Sequence, residues 1–93
     1  MIVGVAGWEL EIIGARSLKD KRSVVRSLKD RLRARFNVSV AETAYQDVWQ
    51  RAEITVSTVA SDQRRVEEVL NRADRLVEGE VRARIIDSFR TYY

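Results

Sequence analysis

The sequence predicts a single α+β domain over residues 1–93, and three observations carry that prediction. Segments rich in β-branched residues and segments with helical spacing follow one another as β-α-β-β-α-β. Within each, the apolar residues keep one period, two for a strand or 3.6 for a helix. No proline, linker or low-complexity run separates them, and a chain this long buries roughly 60 to 65% of its unfolded surface, enough for two layers.

Residues 2–14 form the first strand, alternating best where Trp8, Leu10 and Ile12 lie to one side of Glu9 and Glu11. Ser17 then supplies an N-cap with Asp20 three residues on, a capping-box arrangement. The set Leu18, Val25, Leu28, Leu32 and Phe36 keeps helical spacing, so the first helix covers about 18 to 35. NVSVAETAY (37–45) and AEITVSTVA (52–60) are two further strands, joined by QDVWQR, short enough for a hairpin. Ser61 or Asp62 caps a second helix with the stripe Val66, Val69, Leu70, Ala73, Leu76 and Val77, and Gly79 is expected to take a left-handed conformation at its end. EVRARIIDSF is the fourth strand. This order most simply makes a four-stranded antiparallel sheet with both helices on one face, the ferredoxin-like arrangement. In it the last strand lies beside the first, which sets Arg82 and Arg84 across from Glu9 and Glu11. Trp8 is expected to fill the core.

Composition excludes several functions. With no Cys and no His there is no disulfide, thiolate nucleophile or zinc knuckle, and the usual general base is missing. Glu42, Asp47 and Glu53 flank the hairpin, but three carboxylates without such partners are a common surface event, so no enzyme, metal or cofactor is expected. GVAG is too short for a phosphate or dinucleotide loop. No apolar run approaches the roughly 20 residues that span a membrane, and MIVGVAGWELEIIG lacks a basic leader. The expectation is a cytoplasmic protein.

Charge is informative through its distribution. Residues 16–35 hold nine of the seventeen Lys and Arg but only Asp20 and Asp30 among fourteen acids, so the rest of the chain is net acidic although the whole carries +3. Such polarisation is common in polyanion binders. With Leu18 at 0° and about 100° per residue, Leu18, Val24, Val25, Leu28, Leu32 and Phe36 fall between about 240° and 360°, facing the sheet. Lys19, Arg22, Arg26, Lys29 and Arg33, spaced 3, 4, 3, 4, fall between about 20° and 100° with no acid among them, a ridge about 21 Å long. Like charges at these spacings cost about 0.2 to 0.5 kcal/mol per pair, and a purely structural helix interleaves signs. The second helix does so, setting Arg64, Arg65, Arg72 and Arg75 against Asp62, Glu67, Glu68, Asp74 and Glu78. The ridge is therefore the candidate nucleic-acid-binding surface, set against the plainer reading of a solvated face.

The open face of the sheet is expected to carry Val3, Val5, Glu9, Glu11, Ser39, Ala41, Thr43, Thr55, Ser57, Val59, Arg82, Arg84 and Ile86. It lacks the aromatics on which RNA-recognition motifs stack bases, and its small and apolar residues suit association of subunits. Trp49, with Tyr45 nearby, either caps the edge of the core or forms a contact patch for a partner. Two functions follow: a non-catalytic RNA-binding accessory protein, or a homo-oligomeric structural or regulatory interaction module with no nucleic-acid role.

At SLKDKRSVVRSLKDRLRARFNVSVAE, followed by QDVWQRA, the chain resembles the YlxP-like family of small bacterial proteins of unknown function. The resemblance runs from the first strand through the hairpin, with SLKDKR at Ser17–Arg22 and FNVSVAE at Phe36–Glu42, and matches only in pattern beyond about residue 61. It implies a ferredoxin-like fold and a bacterial cytoplasmic protein. Because genes of such proteins often lie near those for translation initiation and ribosome maturation, it also implies RNA or ribosomal-subunit contact. It supplies no catalytic residues.

Overall fold

A computed structural model describes every residue from Met1 to Tyr93. β1 (Ile2–Ile12), α1 (Leu18–Arg35), β2 (Ser39–Ala44), β3 (Arg51–Ala60), α2 (Gln63–Glu78) and β4 (Ala83–Tyr92) follow in the expected order. The strands lie β2-β3-β1-β4, each antiparallel to its neighbours. α1 starts where its cap predicts: Ser17 Oγ accepts from Asp20 N–H at 3.1 Å, and Asp20 reaches back to Arg16 N–H at 3.1 Å. Asp62, not Ser61, caps α2, accepting from Arg65 N–H at 3.0 Å. Gly79 ends α2 with φ −75°, so it stays right-handed, against expectation. The left-handed residues are instead Gly14 and Tyr45, with φ of 73° and 64°.

The even-numbered residues of β1 and β3 point at the helices. Ala6, Trp8, Leu10, Ile54 and Val56 meet Val24, Leu28 and Leu32 from α1 and Val66, Leu70 and Ala73 from α2 in one buried cluster. Trp8 is 1% exposed, and its Nε1–H donates to Asp74 Oδ1 on α2 at 2.7 Å. The buried ring therefore leaves no unsatisfied donor. A Cβ on Gly4 would come within 2.2 Å of Val66 Cγ1, so glycine there lets α2 sit directly on the central strand.

β4 departs from simple alternation. Glu9 pairs with Asp87 and Leu10 with Ile85, so Ile86 is an extra residue and the strand turns over beyond it. Phe89 then faces out, opposite Gly7, where a Cβ would come within 2.2 Å of its ring. The open face therefore has an aromatic residue that the sequence reading omitted. The C-terminus does not fray: Tyr93 exchanges backbone hydrogen bonds with Val3 at 3.0 and 2.8 Å.

The expected cross-strand ion pairs form only in part. Arg84 meets Glu11 at 3.0 Å, whereas Glu9 takes Arg51 at 2.7 Å. Arg82 lies ahead of β4 and turns to Glu80.

Candidate nucleic-acid interface

α1 carries its cations in three different situations. The first is buried. Lys21 is 1% exposed; its ammonium donates to the Tyr45 carbonyl and lies 3.0 Å from Glu42 Oε2. The contact with Glu42 is an ion pair, and Oε2 accepts no hydrogen bond. The two motif segments of the sequence, SLKDKR and FNVSVAE, thus meet through Lys21 and Glu42. Lys21 stands at about 300° on the helical wheel, inside the apolar arc, an angle that fits its burial although Arg35, at about 260° in the same arc, is exposed.

The second situation is a clamp across the helical layer. Arg31 Nη2 donates to Glu80 Oε1 at 2.5 Å. Arg82 donates to Glu80 from its side chain at 2.8 and 2.9 Å and from its backbone N–H at 2.9 Å. Glu80 is 6% exposed, and the Arg82 side-chain hydrogen bonds, opposed by burial, hold its carboxyl down at about pKa 2. The Arg82 guanidinium is pushed up in return, chiefly by its hydrogen bonds to Glu80.

The third group is free. Lys19, Arg22 and Arg26 are exposed and Lys29 is half-buried, and none of the four forms an ion pair. Lys19, Arg22 and Arg26 line one open depression together with Ser23, Ser27, Asp30 and Arg31. Arg33 is the exception in the expected ridge, since its Nη2 donates to the Val40 carbonyl at 3.1 Å and its Nη1 lies 3.8 Å from Asp30. Asp30 also lines the depression, and at about 120° on the wheel, about 20° beyond Lys19, it sets an acid at the border of the row. Four of the five expected cations remain available.

The residues at the hairpin end separate. Arg51 sits over the Tyr45 ring, 5.6 Å from its centroid, and Tyr45 OH reaches Glu9 at 3.5 Å. Tyr45 is therefore tied into the open face. Trp49 keeps 51% of its surface in solvent and does not cap the core. The carboxylates near the hairpin are not gathered: Glu42 turns to Lys21 on the helix side, while Glu53 accepts from Thr43 Oγ1 at 2.5 Å on the open side. No three His, Cys, Asp or Glu side chains come together to hold a metal ion, and no helix is long and apolar enough to cross a membrane.

Fold and surface together define a small ferredoxin-like α+β domain with an unneutralised cationic face on its first helix. The chain belongs to the family described as protein of unknown function (DUF503), whose model matches residues 3–90 and so extends through the second helix and last strand. It is 39% identical over 71 residues to the uncharacterized protein YlxP of Bacillus subtilis (strain 168), covering 76% of this chain and 77% of that protein. A de novo designed protein with ferredoxin fold, solved by solution NMR, superposes with a TM-score of 0.55 at 15% identity, covering 100% of this chain and 83% of the designed one. That likeness concerns the fold alone.

Proposed function

We propose that this is a non-catalytic, RNA-associated module of the bacterial cytoplasm, a ribosome-assembly or translation accessory factor that docks the outer face of α1 on a phosphate backbone. The observation that carries this reading is the set Lys19, Arg22, Arg26 and Lys29, which no carboxylate neutralises, whereas Arg51 and Arg84, two of the sheet's three arginines, pair with Glu9 and Glu11. Spaced over about 15 Å of helix, these cations match the scale on which nucleic-acid phosphates recur, and each one that displaces a counterion adds to affinity. Pull-down from bacterial extract tests it. Ribosomal RNA should be retained and lost after nuclease treatment; retention of no RNA at physiological salt contradicts the reading.

One observation favours the second reading, a homo-oligomeric interaction module. Val59 and Phe89 are 52% and 45% exposed on the open face, where they pair with Val3 and Gly7 of the central strand β1, apolar positions suited to subunit contact. Sedimentation separates the two readings: a stable oligomer indifferent to added RNA supports this one.

A further inference from the structure

A second cationic site lies where the two helices run side by side. Arg35, from the last turn of α1, and Arg72 and Arg75, from α2, line one cleft whose remaining walls are Phe36 and Leu76. All three arginines are exposed and none forms an ion pair. The helix dipole favours one cation at the end of α1, by about 0.3 to 1 kcal/mol, but does not account for two more brought up from the neighbouring helix.

The same seam shows what the protein does when arginines converge for structural reasons. One helical turn earlier on α1, Arg31 meets Arg82, and a carboxylate sits between them: Glu80, held by both at 2.5 and 2.8 Å. Around Arg35 three arginines line one cleft, yet no acidic side chain lines it with them. The first cluster carries its own carboxylate and the second carries none. Guanidiniums suit a phosphate by their planar, forked donors, and Phe36 and Leu76 give an apolar wall against which a base or ribose can rest. A duplex presents its phosphates with the bases turned inward, so such a wall suits a single strand.

We infer that the Arg35–Arg72–Arg75 cleft is a phosphate seat on the path of a single-stranded RNA that leaves the ridge of α1 and crosses onto α2, with the adjoining nucleoside against Phe36. This rests on the RNA reading above and extends its footprint to a helix that is neutral overall.

The test compares three proteins on one single-stranded RNA: the wild type, a ridge variant (Arg22→Glu, Arg26→Glu, Lys29→Glu) and a cleft variant (Arg35→Gln, Arg72→Gln, Arg75→Gln). The cleft variant should bind more weakly, with its log-affinity against log-salt slope shallower by about 2, since each lost phosphate contact removes about 0.7. If the cleft variant keeps both slope and affinity while the ridge variant loses binding, the cleft plays no part and the ridge reading stands. If the wild type itself binds without salt dependence, the RNA reading falls and this inference with it. NMR of the wild type needs no variant to fold: added RNA should shift the Phe36 ring protons, and rings unmoved at saturation overturn the proposal.

Discussion

The two helices cover the same face of the sheet and are of similar length, but they treat charge in opposite ways. The N-terminal half of α2 is knitted to itself, with Arg64 near Glu68, Arg65 near Asp62, and Gln63 donating to Glu67. α1 has eight basic residues against two acids, and these divide into cations fixed by distant parts of the chain and cations fixed by nothing. Lys21 and Arg31 reach across to β2 and to the turn before β4. Lys19, Arg22, Arg26 and Lys29 reach nothing. Basic residues on one helix thus fall into two groups, and only partners elsewhere in the fold tell them apart.

The widest break in that comparison comes from reversing the free group. Arg22→Glu, Arg26→Glu and Lys29→Glu together should abolish RNA retention, a loss of 100-fold or more, with the far-ultraviolet circular dichroism unchanged. Retained binding would make the ridge a solvated face.

Altering the fixed group should do the reverse, lowering stability and sparing RNA affinity. Lys21→Met leaves Glu42 half-buried without its counter-charge and releases the Tyr45 carbonyl, a loss of about 2 kcal/mol in denaturant unfolding. Because that carbonyl anchors the left-handed turn before Trp49, the variant should also shift tryptophan emission. An unchanged midpoint and spectrum would mean that Lys21 holds neither the turn nor the fold.

Glu80→Gln should cost about 1 to 2 kcal/mol at neutral pH; the full shift corresponds to more, but its guanidinium partners are partly exposed and screened. The sign of the pH effect follows from a carboxyl whose folded-state pKa lies below its unfolded one. Its contribution is complete above about pH 4.5 and disappears as the pH falls toward 2. Thermal unfolding should therefore lose stability over that window less steeply in the variant than in the wild type, and equal slopes would remove Glu80 from the account.

The smallest effect belongs to the control helix. Arg64→Gln with Arg65→Gln should change RNA affinity less than twofold, because exposed pairs within a helix contribute little and these arginines already face acids. A loss comparable to that of the ridge variant would erase the distinction between the helices.

How much of this was legible in the chain follows from where the information resides. The span of α1 is local, set by Ser17 and by the spacing of Leu18, Val25, Leu28 and Leu32, and the structure reproduces it. The bulge at Ile86 depends on how β4 registers against β1, which no spacing within β4 records, so Phe89 was not placed on the open face; Arg82 was set against Glu9, whereas the antiparallel register that pairs Arg84 with Glu11 carries it past the strand, opposite Ile13. The ridge was readable as an angle, but the capture of Arg33 by the Val40 carbonyl was not, because it depends on where β2 lies. Arg72 and Arg75 read as members of a balanced helix until the fold set Arg35 beside them. The burial of Lys21 went equally unread: its angle lies inside the apolar arc, but Arg35, at about 260°, shares that arc and stays exposed, so angle alone does not decide burial.

The most direct test of the central claim is the salt dependence of binding to a single-stranded RNA. Four ridge contacts give a log–log slope near −2.8, and occupation of the three-arginine cleft deepens it to about −5. A slope near zero, or binding that survives reversal of Arg22, Arg26 and Lys29, would contradict the claim that the unpaired cations of α1 exist to meet phosphate.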